Sequence, residues 1–478
     1  MKQMKGRLLI FIIFCVLIFA LYFPVFDLIL KKQKFLQYLR QNHQQFDHTA
    51  FNGLLLGKGR DDHCKSRLEQ HHYRRKSSQY VPSPYLLKRL RAYEELHAHC
   101  THDYVEAFHH FRSNTSDSRC KFIVWKSYSG LGNKIISITA TFAYALLTNR
   151  VLLIEPGPEN YMAQLFCEPF PTSSWFLSTD FPIYLFNHAK HRLQFDNCKG
   201  DLKVQGYGLI EIIDSFDGLG DKFFCEHEQQ MLSEKIPWLA IVVNLYFIPS
   251  LYNVPSFKLE LDMLFPEQET VFHHLGRYLF HPSNQVWSRT VRIYEDYMAN
   301  ASKVVGIQMR LLEHLGSGHE HFLNKMIDCA QDNGLLPKSI KSNNSTQASR
   351  IPTQFITAIV TSLDGMYFKS QENEQKVDNQ EHEEKALAEM FLLSFCDELI
   401  TSPGSTFGYV GHGLAGIKPW ILDNKKNCSK MVSLEPCFHA KVTYGCKCMP
   451  PKDALSVQHN IQSCQDVTWG IQLKSIIL

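Results

Sequence analysis

The chain has 478 residues, of which 45% are hydrophobic and 20% charged, and its formal net charge is +3 at pH 7. A chain of this length is too long for one hydrophobic core and predicts two or more domains. The ordinary share of apolar and charged residues does not indicate long-range disorder. The near balance of charge gives no reason to expect nucleic acid as the main partner.

The N-terminus differs from the rest of the chain, because residues 8–26 carry no charged side chain. At a rise of ~1.5 Å per residue, a helix of this length just crosses a hydrocarbon layer of ~30 Å. We therefore predict a cytosolic tail over residues 1–7 and a transmembrane anchor over residues 8–26. The alternative is a cleaved signal peptide, but no small-residue cleavage site follows the apolar run.

A polar stretch follows, and residues 27–79 are predicted to form a stem between membrane and body. Residues 73–76 within it form a positive run, with three basic side chains at Arg74, Arg75 and Lys76. Such a run could bind phosphate, but a solvated face is the commoner explanation.

Cysteines and glycosylation sequons favour an oxidising, lumenal environment for the body. Of the 14 cysteines, only Cys15 lies in the predicted anchor. Acceptor sequons occur at Asn114, Asn300, Asn344 and Asn427. Together with the anchor, these features predict a short cytosolic tail, one span and a large lumenal body.

Zinc binding is the alternative explanation of the cysteines. Cys446 and Cys448 stand close in sequence, and residues 97–100 contain further potential ligands. No C-x-x-C pairs with another at structural-zinc spacing, so disulfides are favoured. The sequence does not fix their pairing.

Residues 122–155 are typical of a βαβ unit, in which two short apolar strands flank a helix with apolar residues at helical spacing. The loop between the first strand and the helix contains Gly130 and Gly132. Glycine permits positive φ and lets a ligand approach the backbone, and the free amides of a helix start favour an anion or a polar sugar. Taken alone, the loop is explained equally well as a structural turn.

A second motif ends in a single basic residue. Residues 304–309 are predicted to form a strand, and Arg310 follows it. In open α/β sheets the carboxyl ends of the strands face the ligand crevice, where a guanidinium can bind phosphate with two hydrogen bonds. The alternative is a surface salt bridge.

A third motif combines a strand over residues 398–401, a Ser/Thr/Gly loop and a helix from about Phe407. Ser405 and Thr406 fall at N-cap positions. Two hydroxyls, free amides and the positive end of a helix dipole suit a diphosphate. The alternative is an ordinary N-cap without a ligand.

Several long motifs in matching order, from about residue 54 to the C-terminus, resemble the plant α-1,2-fucosyltransferases, the family of the xyloglucan fucosyltransferase. They include SYSGLGNK, CEPFP, PWLAIVVNLYFIPSLY, VVGIQMR and ITSPGSTFGYVGHGLAGIKPW. The resemblance implies an α/β fold of the GT-B type, with two Rossmann-like domains facing a cleft. Residues 80–297 would form the acceptor-side domain and residues 298–425 the GDP-fucose domain. A Cys-rich segment, residues 426–478, would pack back on the body.

The activity that the resemblance implies is inverting, metal-independent transfer of L-fucose from GDP-fucose to the 2-position of galactose, or of arabinose, on xyloglucan or arabinogalactan glycans. The expected location is the Golgi membrane, as a single-pass type II protein with a lumenal body. No cofactor or metal is expected, and no Asp-x-Asp occurs in the sequence. The expected partners are the donor, the glycan acceptor, the Golgi membrane and homo- or hetero-oligomers with other glycosyltransferases, but not nucleic acid.

Matching motifs assign site residues to this chain. Arg310 would hold the diphosphate and act in catalysis. The residues expected to line the nucleotide site are Ser402, Ser405, Thr406 and Phe407. The cleft loop of the other half is expected to contain Gly130, Gly132, Asn133 and Lys134.

The chain departs from the family pattern at several positions. Asn244 stands where an aspartate base is expected, and an amide can orient a hydroxyl but cannot take its proton. Another group, a relaying water or low activity are the alternatives. Lys134 replaces a usual Arg, Gly404 a usual Trp and His412 a usual Gln.

Residues 362–385 are shorter than in the family and lack an expected apolar strand, which predicts a gap in the nucleotide-binding sheet. A second hypothesis therefore stays open: a non-catalytic relative that binds nucleotide or glycan, or pairs with an active enzyme.

Overall fold

The computed structural model describes residues 51–55, 63–112, 120–126, 128–170, 172–193, 195, 206–213, 222–310, 319–338, 356–362, 380–422, 428–440 and 460–474. The predicted tail and anchor, residues 1–26, lie outside these ranges. Within them, no helix has the length and apolar character needed to cross a bilayer. Asn114, Asn344 and Asn427 also lie outside the described residues, whereas Asn300 is exposed in a turn.

The helices, in chain order, are α1 Lys65–Glu69, α2 Pro84–Cys100, α3 Tyr104–Arg112, α4 Leu131–Thr148, α5 Tyr161–Leu165, α6 Glu226–Lys235, α7 Ile248–Leu251, α8 Pro255–Leu264, α9 Val271–Leu279, α10 Asn284–Tyr297, α11 His319–Asp332, α12 Gln380–Ser394 and α13 Thr406–Ala415. The strands are β1 Lys121–Lys126, β2 Arg150–Ile154, β3 Tyr207–Ile212, β4 Trp238–Val243, β5 Lys303–Met309, β6 Ile356–Ser362, β7 Glu398–Thr401, β8 Trp420–Leu422, β9 Cys428–Lys430, β10 Ile461–Ser463 and β11 Ile471–Leu473.

The N-terminal half is built on a parallel sheet with strand order β2-β1-β4-β3. Its strands are rich in β-branched and large apolar residues and are mostly buried, as strands covered on both faces must be. Helix α4 connects β1 to β2, which confirms the predicted βαβ unit. Asn149, with a left-handed φ of 50°, ends this helix and turns the chain into β2.

The C-terminal half has a second sheet with order β6-β5-β7-β8-β9, in which all pairs except β8 with β9 are parallel. The predicted strands at residues 304–309 and 398–401 are therefore confirmed as β5 and β7.

The gap predicted from the shortened stretch is wrong for the described part of this sheet. Strand β6, which precedes that stretch, pairs with β5 along Lys303–Met309, and each strand is hydrogen-bonded to the next. The hydrophobic pattern of Ile356–Ser362 supplies the strand on this side of β5. Most of the shortened stretch, residues 363–379, lies outside the described residues.

One hydrophobic core spans both halves. It includes Phe142 of α4, Leu275 of α9, Leu393 of α12 and Leu414 of α13, all almost completely buried. Glycine at position 413 permits close packing between α13 and α9, because a Cβ there would lie 2.4 Å from Phe272 Cδ1. The shared core holds the carboxyl ends of the two sheets at a common junction.

Residues 63–79, which we predicted to belong to the stem, pack against the body. Arg75 donates hydrogen bonds to the carbonyls of Met298 (3.1 Å) and Ala301 (2.6 Å), next to the end of α10, and to Asp397 Oδ2 (2.8 Å). Arg74 donates to the Leu414 carbonyl at 2.9 Å. The expectation of a solvated basic face is therefore wrong for these two arginines, because carbonyls at helix ends and a carboxylate bind them.

Disulfides are present, as predicted. The bonded pairs are Cys64–Cys167, Cys100–Cys120, Cys329–Cys428 and Cys437–Cys464. Cys225 is also disulfide-bonded, whereas Cys396 is free and buried. Two of them, Cys64–Cys167 and Cys329–Cys428, join segments 103 and 99 residues apart and so restrict the unfolded state most.

The Cys-rich C-terminal segment is tied to the N-terminal half through Glu435. This fully buried carboxyl accepts hydrogen bonds from the Tyr246 hydroxyl, just after β4, and from the Phe272 N–H of α9 at 2.9 Å. Burial raises the pKa of Glu435 to about 8, and the two hydrogen bonds oppose that rise.

Replacing Glu435 with glutamine should remove one component of the pH dependence of stability. Because the pKa of Glu435 is higher in the folded than in the unfolded state, its protonation favours folding at low pH. As the pH rises toward the folded pKa, the free energy of unfolding therefore falls by ~1.4 kcal/mol per pH unit. The thermal midpoint of Glu435→Gln relative to wild type should therefore rise between about pH 5 and pH 8.

The control for this change is Glu95→Gln, an exposed glutamate on α2. Buried histidines affect both proteins equally and cancel in the comparison. If the thermal midpoints of wild type and Glu435→Gln change in parallel with pH, Glu435 does not titrate in this way.

Candidate active site

The direction of the strand connections reverses at two places, one in each sheet. From β1 the chain passes outward to β2, and β4 lies on the other side of β1. From β5 it passes to β6, whereas β7 leads to β8 on the opposite side. Ligands of open α/β sheets bind at such switch points, outside the carboxyl ends of the strands. The glycine loop and Asn244 follow β1 and β4, and Arg310 and Ser402 follow β5 and β7.

Arg310 lies at the carboxyl edge of the second sheet, as predicted, and its side chain is exposed. Its backbone N–H donates to the Ser402 hydroxyl at 2.8 Å, and its Nη1 donates to the Gly404 carbonyl at 2.9 Å. Ser402 is buried, and its hydroxyl fixes the backbone at this edge of the sheet through that hydrogen bond. The loop thus orients the guanidinium at an exposed position.

Gly404 suits this loop better than a larger residue would. Its φ is +64°, and a Cβ at this position would lie 3.2 Å from Val467 Cγ2. Only glycine takes this left-handed conformation without a steric penalty. The usual Trp would be strained in the loop conformation seen here.

Helix α13 begins at this loop, and Ser405 is its N-cap. The Ser405 hydroxyl accepts a hydrogen bond from the Gly408 N–H at 3.5 Å. The preceding amides, those of Thr406 and Phe407, have no carbonyl partner within the helix. The Phe407 side chain is only 9% exposed and belongs to the core, so the group that Phe407 offers at the start of the helix is its backbone amide.

The two halves meet where the first turns of α4 and α13 face each other. A Cβ on Gly132 would lie 2.7 Å from Thr406 Oγ1 and 3.0 Å from the Phe407 nitrogen. The absence of a side chain at Gly132 therefore permits this approach. Thr406 Oγ1 donates to Asn133 Oδ1 at 2.8 Å, which joins the first turn of α13 to the first turn of α4.

The cleft loop has its positive φ at an unexpected position. Gly130 is the N-cap of α4 with φ −74°, whereas Ser129 has φ +73°. A left-handed serine costs roughly 1–2 kcal/mol, and such strain concentrates at functional sites. Tyr128, beside it, is 49% exposed.

Asn244 follows β4 at the carboxyl edge of the first sheet, next to the cleft loop. Its backbone carbonyl accepts a hydrogen bond from Asn133 Nδ2 at 3.0 Å. Its own Oδ1 is buried and makes no hydrogen bond within the described residues. Asn244 therefore lies in the junction and carries a buried acceptor without a hydrogen-bond partner among the described residues.

Lys134 does not line the cleft. Its side chain is completely buried, with Nζ 3.4 Å from Glu383 Oε1 of α12 and 4.4 Å from the centre of the Tyr161 ring. Successive helical residues point about 100° apart, so Lys134 faces the interior when Asn133 faces Thr406. His412, another departure, is buried in α13, and burial lowers its pKa to about 3.

Residues of the Cys-rich segment complete the site, and no sequence motif identified them. Asp466 Oδ2 accepts hydrogen bonds from the Gly404 N–H at 3.0 Å and from the Tyr409 hydroxyl at 2.6 Å. The Tyr409 hydroxyl also lies 3.0 Å from His439 Nε2. Burial lowers the pKa of His439 to about 4, an effect that Asp466 opposes and Arg310 adds to. Asp466 thus fixes the loop at Gly404, whose carbonyl accepts the hydrogen bond from Arg310.

One group of potential metal ligands occurs within the described residues, formed by Cys437, Cys464 and Asp466. The two sulfur atoms are bonded to each other in a disulfide. This group therefore gives no support to the zinc alternative.

Comparisons with known proteins agree on one family. The family model described as xyloglucan fucosyltransferase matches residues 32–370 and 353–447. The Galactoside 2-alpha-L-fucosyltransferase of Arabidopsis thaliana is 39% identical over 471 residues, covering 88% of this chain and 82% of that protein. The protein of the same name from Pisum sativum is 37% identical over 467 residues, covering 88% and 81%.

A solved structure gives the same result. An arginine-to-lysine variant of Arabidopsis thaliana FUT1 in complex with GDP aligns with a TM-score of 0.74 at 37% identity, covering 89% of this chain and 100% of that chain. From sequence and fold together, this chain belongs to the xyloglucan fucosyltransferase family.

Proposed function

We propose that this protein is an inverting Golgi fucosyltransferase that transfers L-fucose from GDP-fucose to the 2-position of galactose, or of arabinose, in cell-wall xyloglucan or arabinogalactan glycans. Its relatives carry the name Galactoside 2-alpha-L-fucosyltransferase, and a similar structure binds GDP. The observation that carries the proposal is the exposed Arg310 guanidinium at the carboxyl end of β5, oriented by Gly404 beside the start of α13.

The reaction needs stabilisation of negative charge on the leaving group. The acceptor hydroxyl oxygen attacks C1 of fucose from the face opposite to GDP, and the bond from C1 to the phosphate oxygen breaks. GDP leaves with the electron pair, and the hydroxyl proton passes to a base. The Arg310 guanidinium and the Thr406 and Phe407 amides would stabilise the diphosphate, and loss of one such donor typically costs ~3 kcal/mol.

We propose that this stabilisation needs no metal ion, because a fixed guanidinium and helix-terminal amides supply the positive charge. The lack of any Asp-x-Asp in the sequence favours this. The fold assignment that we propose is GT-B, since two α/β halves meet at the carboxyl ends of their sheets.

The proposed location is the Golgi membrane, with residues 8–26 as the single span and the body in the lumen. Disulfides form in oxidising compartments, and those in the body support this orientation. Asn300 is exposed, as a glycosylation acceptor must be.

The non-catalytic alternative lacks support from the comparisons, because the relatives are named as fucosyltransferases. The sequence features that favoured it were Asn244 and the shortened stretch.

Replacing Arg310 with alanine tests the phosphate site. Because Arg310 is exposed and its side chain packs into no core, fucose transfer by detergent-solubilised full-length protein should fall by roughly 10²–10³-fold, whereas the thermal midpoint should stay nearly unchanged. Binding of GDP, measured by calorimetry, should weaken in parallel.

The matched control is Arg292→Ala, an exposed arginine on α10. Transfer should continue in EDTA for both proteins. Equal GDP binding by wild type and Arg310→Ala would mean that the phosphate binds elsewhere, and loss of transfer in EDTA would contradict the metal-free proposal.

Replacing Asn244 with aspartate tests the missing base. A carboxylate in this partly buried, unpaired position should have a raised pKa and serve as a general base. We expect transfer to rise by at least about tenfold, below the ~10²–10⁴ of an optimised base, and to increase with pH as the new carboxyl ionises.

Two variants control for other effects of this change. Asn244→Ala should not gain activity, and Asn253→Asp introduces a carboxyl at another buried, unpaired amide. Unchanged transfer by a folded Asn244→Asp protein would show that position 244 is too far from the acceptor to take its proton.

A further inference from the structure

The Asn133 side chain uses both ends of its amide across the junction. One end faces the Asn244 backbone carbonyl at 3.0 Å and the other faces Thr406 Oγ1 at 2.8 Å. A carbonyl oxygen only accepts hydrogen bonds, so the NH₂ group must face Asn244 and the Oδ1 must face Thr406. The orientation of the amide is therefore fixed by its partners.

This orientation determines the role of the Thr406 hydroxyl. Because Asn133 Oδ1 only accepts, Thr406 must donate its single proton to it. The close contact with the Gly132 backbone, where a Cβ would lie 2.7 Å from Thr406 Oγ1, keeps the hydroxyl against the first turn of α4. Thr406 is half-buried, so a ligand that reaches its hydroxyl finds an oxygen that keeps its lone pairs but has already donated its proton.

A lone pair does not suit a diphosphate, whose oxygens also accept hydrogen bonds. The groups suited to the diphosphate are the N–H groups of Arg310 and the amides at the start of α13. An acceptor beside those donors instead suits a hydroxyl group. In a nucleotide sugar, the unit next to the diphosphate on the far side from the nucleoside is the sugar, which carries such hydroxyls.

We propose that Thr406 accepts a hydrogen bond from a hydroxyl of the donor's sugar, and that Asn133 is a positioning residue that sets the direction of the Thr406 hydroxyl. This inference rests on the proposed function, because it assumes a nucleotide-sugar donor at this junction. It separates recognition of the sugar by Thr406 from recognition of the diphosphate by Arg310. Thr406 would thus favour the intact donor over the nucleotide product.

Calorimetric titration of the full-length protein with GDP and with GDP-fucose, without acceptor, tests the proposal. Thr406→Val keeps the shape of the side chain but loses the lone pair. It should weaken GDP-fucose binding by about tenfold and change GDP binding by less than about twofold. Thr406→Ser keeps the hydroxyl and should retain the wild-type preference for the sugar nucleotide.

Asn133→Ala provides a second test that leaves Thr406 in place. Without its acceptor, the Thr406 hydroxyl is free to turn and donate to a phosphate oxygen. GDP should then bind at least as tightly as in wild type, whereas the preference for GDP-fucose over GDP should shrink. If the role of Asn133 were merely structural, Asn133→Ala would weaken the binding of GDP and of GDP-fucose together.

Four outcomes would overturn the proposal. If Thr406→Val weakens the binding of GDP and of GDP-fucose equally, the hydroxyl contacts the nucleotide. If it changes the binding of neither ligand, the hydroxyl contacts no ligand. An unchanged ligand preference in Asn133→Ala would remove the positioning role. A wild-type protein that binds neither ligand would overturn the proposed function as well, and so is distinct from the first three results.

Discussion

The proposed active site depends on the close approach of two helix starts, one from each half of the protein. Gly132 in the first turn of α4 lies against Thr406 in the first turn of α13, and no side chain fits between them. Each helix start carries amides without intrahelical partners and the positive end of a helix dipole. The approach therefore concentrates hydrogen-bond donors at one place, and Arg310 adds a full positive charge beside it.

The surrounding structure holds these groups in place. A core shared by both halves and the buried pair of Lys134 and Glu383 fix α4 against α12. Glu435 connects the C-terminal segment to the N-terminal half, and Asp466 of that segment fixes the loop at Gly404. Catalytic donors that are held before the substrate arrives need little reorganisation during the reaction, which is the source of their effect.

Local sequence signals predicted the parts of the site that lie within a few residues of one strand end. Glycines after β1, a basic residue after β5 and hydroxyls before α13 each have a local physical reason, and Arg310, Ser402 and Thr406 lie where those reasons place them. The match to the family motif predicted Lys134 in the cleft loop, but the helix turns its side chain into the interior.

Contacts between distant segments had no local signal. Asp466 meets Gly404 across 62 residues, and the basic pair Arg74 and Arg75 meets helix ends and a carboxylate hundreds of residues away. Such contacts depend on how the halves pack, which composition and periodicity do not specify. The predicted sheet gap failed for the same reason, since the pairing of Ile356–Ser362 with β5 is itself a long-range contact.

The position of the diphosphate is the most direct test of this account. A crystal structure of the protein with bound GDP should place phosphate oxygens ~2.7–3.1 Å from the Arg310 guanidinium and from the Thr406 and Phe407 amides. Phosphates bound away from the start of α13, with Arg310 facing solvent, would contradict it.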